Sequence, residues 1–197
     1  MLPYWLLLAF PSLLALVRPL SRPSPGFLRV LVLLYSAIIG LRFQVGGDWG
    51  IYLENLQNLA GSSFFDAISS VALGDPGYNL ISWLSNTIGT GIYGVNFLCA
   101  LIFSIGLLVF CDCQPRPWLA LAVSTPYLII VVAMGYTRQS AAIGLALIAF
   151  LYLEKKSLPG FIWWILLATM FHKTAIILIV AAIMIIQDAK TIFNKII

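Results

Sequence analysis

The stretch LPYWLLLAFPSLLALV, Leu2–Val17, carries no charged side chain. Further apolar runs recur at Phe27–Phe43, Val95–Phe110, Trp118–Met134, Ser140–Leu153, Phe161–Phe171 and Thr174–Ile186. Such runs leave few folds open. A backbone withdrawn from water must satisfy its own N–H and C=O groups, and a helix does so within one segment. Several runs fall short of the ~20 residues that a perpendicular span needs, so their polar ends are expected to lengthen the helices. The chain is 61% hydrophobic and 9% charged, whereas soluble domains carry about a quarter charged residues. The expected fold is therefore all-α: a polytopic transmembrane helical bundle of about seven crossings, forming one integral membrane domain over residues 1–197.

The other compositional signals are weaker. The N-terminal run has no basic region before it and no small-residue cleavage signal after it, so it is expected to be a first membrane helix rather than a removed signal peptide. The net charge of +4 comes from Lys and Arg scattered between apolar segments, which argues for membrane orientation and not for nucleic acid. Cys111 and Cys113 have no histidine near them in sequence, and with Cys99 they fit buried or neutral thiols better than a zinc site.

Charge fixes the sides. Arg18, Arg22 and Arg29 crowd the first loop, Lys155 and Lys156 end the helix that starts near Ser140, and Lys190 and Lys195 lie near the C-terminus. These are expected to be cytoplasmic. Gln44–Pro76 carries Asp48, Glu54, Asp66 and Asp75 with no Lys or Arg, so it is expected outside. Between that stretch and Lys155 the parity requires an odd number of crossings, which the helices starting at Val95, Trp118 and Ser140 supply. The weakly apolar segment Tyr78–Tyr93 would spoil the count. It is expected to lie in the interface or to re-enter from outside, within an outer segment 44–94. Its Gly89 and Gly91, the Gly94 that follows and its hydroxyl and amide side chains suit a cavity wall rather than lipid. This topology brings Arg42, Arg138, Lys173 and His172 to the outer face beside Asp48 and Asp75.

Each of these residues admits a plain and a functional reading. In LRFQVGGDWGIYLENL, Leu41–Leu56, Gly46-Gly47 predicts a tight turn and Asp48 can cap a following amphipathic helix. Asp48, Tyr52 and Asn55 share its polar face, so Asp48 is either an N-cap or a substrate-binding or basic carboxylate. In GDPGYN, Gly74–Asn79, Asp75 either starts a turn or stands at the mouth of a cavity. MGYTRQSAAIG, Met134–Gly144, sets Arg138 at the start of a helix, where the dipole disfavours a cation. Snorkelling would explain a lone Arg. Tyr136, Thr137, Gln139 and Ser140 around it instead suggest a site for an anionic, oxygen-rich ligand, with the helix N-terminus adding donors. In FHKTA, Phe171–Ala175, His172 is a base, a hydrogen-bond donor or a satisfied polar residue, with Lys173 beside it.

The ordered set of Arg42, Gly46-Gly47-Asp48, Tyr52, Asp75-Pro76-Gly77-Tyr78, Arg138-Gln139, Ala142 and Phe171-His172-Lys173-Thr174-Ala175 resembles the EpsG family of bacterial exopolysaccharide polymerases, related to Wzy-type O-antigen polymerases. The resemblance runs over nearly the whole chain. It implies a multi-pass glycosyltransferase of the bacterial inner membrane that joins undecaprenyl-diphosphate-linked oligosaccharide units on the periplasmic side. Members are longer than this chain, so a truncated chain and a compact relative are both expected readings. In that chemistry Arg138 and Arg42 would stabilise the leaving diphosphate, with Tyr52, Gln139, Lys173 and Tyr136 as further substrate contacts. Asp48, Asp75 and His172 are the candidate bases for the acceptor hydroxyl. No metal-ligand cluster is visible, so transfer without metal or cofactor is expected. The partners expected are the lipid-linked oligosaccharide, membrane lipid and other polysaccharide-assembly proteins, and no nucleic acid. The rival readings are a flippase or transporter for such lipids, which needs the cations but no base, and a non-catalytic membrane subunit.

Overall fold

A computed structural model describes residues 2–70 and 75–183, with side chains from Tyr4 onward. The elements are α1 (Leu2–Val17), α2 (Pro25–Gly40), α3 (Trp49–Asn58), α4 (Phe64–Ser69), α5 (Pro76–Ile88), α6 (Gly91–Cys113), α7 (Pro117–Ser124), α8 (Thr137–Glu154) and α9 (Leu158–Thr169). A helical stretch from Lys173 to Ile183 follows. Among the described residues there is no strand, so the expectation of an all-α fold holds. The last expected run, Thr174–Ile186, is described only to Ile183, and Lys190 and Lys195 lie outside the described residues, as does Gly74.

Proline and glycine punctuate the chain. Pro25, Pro76 and Pro117 open α2, α5 and α7 in the first turn, where a missing N–H costs nothing. GDPGYN is therefore a helix start and not the expected turn, with Asp75 in the N-cap position. Gly89, at φ +79°, closes α5 in the left-handed conformation, which a Cβ would penalise. This break divides the expected Tyr78–Tyr93 segment, and its last residues become the start of α6. Beyond Ser124 the helix widens into a nine-residue π-helical stretch, Thr125–Ala133, with Pro126 in its first turn. Proline lacks the donor for a regular turn and its ring crowds the carbonyl four residues back, which explains the change of pitch. One element was not anticipated. The short helix α4 is started by Ser63, whose Oγ accepts from the Asp66 N–H at 3.3 Å and donates to the Asp66 carboxylate at 2.6 Å.

Helix α6 is the hub. Helices α2, α5, α7 and α8 all pack on it, while α1 rests on α7 and α9 on α8. The close crossings are made by glycines. A Cβ on Gly40 would lie 2.5 Å from Phe97 Cα, and one on Gly144 would lie 2.6 Å from Phe103 Cα. A Cβ on Gly106 would overlap the Gly144 carbonyl. Small residues at crossings let backbones touch, which is how helices associate where lipid removes the hydrophobic drive between them. The outside of the bundle is apolar: Trp5, Leu16, Val17, Leu20, Val123 and Trp163 are all more than 60% exposed.

The short helices α3 and α4 both pack on α5, which in turn packs on α6. Arg18, Arg22 and Arg29 flank the first loop and start of α2, Arg116 precedes α7, and Lys155 and Lys156 follow α8. The Trp118 indole N–H donates to Ser21 Oγ at 3.0 Å. Among the described residues one helix, Gly91–Cys113, is by itself long and apolar enough to cross a membrane. The other apolar helices, such as Pro25–Gly40 and Pro117–Ala133, are shorter. Helix α8 has the length but begins at Thr137-Arg138 and ends at Glu154.

Gly144→Val should force α6 and α8 apart at a cost of about 1–3 kcal/mol, read as a lower thermal unfolding midpoint in detergent. Gly26→Ala, where a Cβ meets nothing within 4 Å, should leave the midpoint in place. Equal midpoints for both variants and the parent would refute the crossing.

Candidate functional site

The site end is organised around a buried cation. Arg42 follows α2 and is 8% exposed. Its Nη1 donates to the Ile39 carbonyl at 2.8 Å, its Nε to the Val45 carbonyl at 3.3 Å and its Nη2 to Thr137 Oγ1 at 2.7 Å. Thr137 Oγ1 in turn donates to Asn96 Oδ1 at 3.1 Å. Three helices, α2, α6 and α8, are thus joined by one chain of polar contacts. Burial lowers the Arg42 pKa from its usual value, yet a guanidinium stays charged under ordinary conditions. The loop after Arg42 lies against the start of α8. Gly46, at φ +104°, would place a Cβ 2.6 Å from the Gly135 carbonyl oxygen, so this position demands glycine. The expected tight turn is there, and Gly46 rather than Gly47 makes the close approach.

Arg138, one residue after Thr137, faces α3 and α5. Its guanidinium carbon lies 5.5 Å from the centroid of the Tyr52 ring and 5.7 Å from that of Tyr78. The two rings are themselves 5.5 Å apart. Both tyrosines are almost fully buried, Tyr52 at 3% and Tyr78 at 1% exposure. Burial pushes both phenol pKa values up, against the pull of Arg138, so the rings meet the cation as neutral aromatics. Such contacts are worth about 0.5–2 kcal/mol, more where water is excluded. Among the described residues no carboxylate pairs with Arg138. A half-buried guanidinium held through its contacts with rings keeps N–H donors for a ligand.

The remaining expected residues surround this pair. Asp48 occupies the N-cap position of α3, but its side chain makes no capping bond. Its Oδ2 instead accepts a long 3.4 Å hydrogen bond from the Tyr52 hydroxyl, one turn along the helix. Asp75 precedes α5 without a side-chain capping bond. Helix α5 is fixed by Gly77, whose N–H donates to the Met170 carbonyl at 2.7 Å; a Cβ there would sit 2.8 Å from that oxygen. The contact brings the end of α9, and with it His172, to the same end of the bundle. His172 and Gln139 line one pocket of about 200 Å³ with Thr174, Ala142 and Leu178. Phe171 packs against both the Tyr52–Tyr78 cluster and the Ala142–Ala168 cluster. Tyr136 and Lys173 are exposed at the starts of α8 and the last helical stretch.

Four residues have roles that the sequence alone does not give. Thr137 and Ser140 were expected beside a ligand, but Thr137 is spent on Arg42 and Asn96, and Ser140 Oγ donates to the Thr137 carbonyl at 2.8 Å. Asn96 lies inside an apolar run, where a lone amide is itself a signal of a polar partner. Tyr78 entered only as part of a motif, yet it forms one of the two rings beside Arg138. Among the described residues no group of three or more His, Cys, Asp or Glu could hold a metal ion.

Two substitutions separate fastening from ligand contact. Thr137→Val strands the Arg42 donor and Asn96 Oδ1, which should cost about 1–3 kcal/mol and appear as a lower unfolding midpoint. Tyr78→Leu should weaken binding of inorganic diphosphate to the purified chain, and Tyr78→Phe, which keeps the ring, should not. Equal affinity for the Leu and Phe variants would remove the aromatic contact from the account.

No curated protein and no solved structure matches the chain. The EpsG family model matches residues 27–197, from the first turn of α2 onward, a stretch that contains every site residue described above. The chain belongs to the EpsG family, which is associated with polysaccharide polymerisation.

Proposed function

We propose that the chain is a membrane-embedded glycosyltransferase that extends an exopolysaccharide or O-antigen from undecaprenyl-diphosphate-linked oligosaccharide units, with its working end on the periplasmic side. Family membership supports the polymerase class. The observation that carries the chemistry is Arg138: a guanidinium without a carboxylate partner, flanked by two buried rings. It lies at the end of the bundle away from most of the described Lys and Arg.

In glycosyl transfer the bond between the donor sugar and its diphosphate oxygen breaks, and negative charge grows on the departing phosphate. Arg138 is placed to stabilise that charge with N–H donors, in a setting where few waters compete. Arg42 holds the start of α8 in position and adds positive potential to the same end. Both cations lie close enough to act on the Tyr52 and Tyr78 phenols. The acceptor hydroxyl forms the new bond to the sugar carbon and loses its proton to a base, for which Asp48, Asp75 and His172 remain the candidates. Gln139, Tyr136 and Lys173 surround the approach as polar contacts.

Seven crossings fit this reading: α1, α2, α6, α7 with its π-helical continuation, α8, α9 and the Lys173–Ile183 stretch. Short helices would cross with their polar ends in the headgroup layer. The basic residues of the opposite end then face the cytoplasm. Helices α3 to α5 lie on the outer side as the amphipathic segment.

The purified chain supplied with a lipid-linked repeat unit should yield a ladder of longer glycans. Arg138→Ala should lower the rate by about 10²–10³-fold, the usual loss for one donor to a developing anion, with unchanged expression. Full polymer yield from that variant would overturn the assignment. Binding of the lipid by the parent chain with no elongation would favour transport instead. Single cysteines at Asp48 and Lys173, in a background without Cys99, Cys111 and Cys113, should react with an impermeant reagent from outside; labelling only from the cytoplasm would invert the topology.

A further inference from the structure

Helix α5 has a second polar face that the diphosphate chemistry does not use. Its last turns meet the turn after α3 around a pocket of about 400 Å³, lined by Leu59, Gly61, Ser62, Trp83, Asn86 and Thr87. Of the hydroxyl and amide side chains of the Tyr78–Tyr93 segment, Asn86 and Thr87 line it. The walls are tied to each other: the Trp83 indole N–H donates to the Ser62 carbonyl at 3.2 Å, and Asn86 Nδ2 donates to the Leu56 carbonyl at 2.8 Å. Phe64 packs against the Trp83 indole at a centroid distance of 5.3 Å and an angle of 77°. Gly61, at φ +79°, lets the connecting turn close. A pocket fixed in this way loses little on binding.

We infer that this pocket is a saccharide-binding site that takes uncharged sugar residues of a glycan. Its chemistry narrows the ligand. No lining residue is ionisable, so nothing there answers a phosphate or a carboxylate. Polar capacity is left over nonetheless. Asn86 keeps its Oδ1 and one N–H, Ser62 Oγ has no protein partner among the described residues, and Thr87 Oγ1 donates to the Trp83 carbonyl at 2.9 Å but can still accept. A neutral amide and two hydroxyls beside an indole match a ligand with many hydroxyls and an apolar C–H face, which is the make-up of a sugar ring. A hydrocarbon chain would leave those groups unpaired.

Position adds to this. Tyr78 and the pocket lie on one helix, and the rise from Tyr78 to Asn86 is about 12 Å at 1.5 Å per residue. A glycan seated there is held on the same outer segment that carries the Arg138 rings. The role as an acceptor or growing-chain subsite rests on the polymerase reading, whereas binding itself does not.

Binding is measured by saturation-transfer NMR on the full chain in lipid nanodiscs. The probe is the set of repeat-unit oligosaccharides cut from the polysaccharide of cells that encode this chain. The parent chain should bind them. Thr87→Tyr, which fills the pocket from an exposed position and removes only a hydroxyl bond to its own helix, should weaken binding by ~10-fold or more, as should Trp83→Leu. Trp83→Phe keeps a ring, loses the Ser62 bond and should retain most of the affinity, which controls for folding. Affinity for inorganic diphosphate should stay the same in all variants. No binding to the parent chain, or unchanged binding in Thr87→Tyr, would overturn the site. Sugar binding through this pocket without any glycan ladder would sink the polymerase reading and leave the site standing. A ladder from a Thr87→Tyr chain of unaltered sugar affinity would do the reverse.

Discussion

A guanidinium that gives its hydrogen bonds to the protein holds this end of the molecule together. Arg42 is nearly buried and donates to two carbonyls of its own chain turn and to Thr137, which passes the contact on to Asn96. Burying a charge is tolerated only when its donors are satisfied, and here the acceptors come from α2, the loop after it and α8, with α6 tied in through Thr137. The start of α8 cannot move relative to α2 and α6 without stranding the cation. Removing one partner of such a set costs more than the set contributes when complete, because the desolvated group remains.

That fastening separates two cations that look alike in the sequence. Arg42 turns inward and is committed to protein acceptors, whereas Arg138 turns toward α3 and α5, where it meets the Tyr52 and Tyr78 rings and the Tyr52 phenol. Aromatic faces hold a guanidinium without neutralising it. The result is a charge kept in place and left open to an anion, at a helix start whose dipole also favours one. The glycines support the same arrangement. Gly46 lets the Arg42 loop lie on the turn before α8, and Gly77 lets α5 dock on the end of α9, so Tyr78, Arg138 and His172 reach one end of the bundle.

Much of this was legible in the sequence, for physical reasons. Apolar runs bounded by Pro, Gly and charge gave Leu2–Val17 as it stands and placed the Trp118–Met134 run within one residue of Pro117–Ala133 at either end. Arg138, His172 and Asp48 stand out in the sequence because polar side chains are costly between apolar runs. What could not be read was pairing. Thr137 finds Arg42 across 95 residues and Asn96 across 41, and no local pattern announces either partner. Asp48 stands at the N-cap position of α3, one of the two roles open to it, but its carboxylate accepts from the Tyr52 hydroxyl instead of capping. The Ser63 N-cap, three residues before Asp66, stands in the letters, but α4 is too short to carry a periodic signal. The widening after Ser124 was likewise hidden, since proline marks a disturbance without specifying which one.

The division of labour between the two arginines is tested most directly by arginine-specific modification of the folded chain with phenylglyoxal, mapped by mass spectrometry with and without inorganic diphosphate. The expected result is rapid modification of Arg138, protection of Arg138 by diphosphate, and an Arg42 that reacts only after unfolding. Equal reactivity of the two, or an Arg138 that diphosphate leaves unprotected, would contradict it.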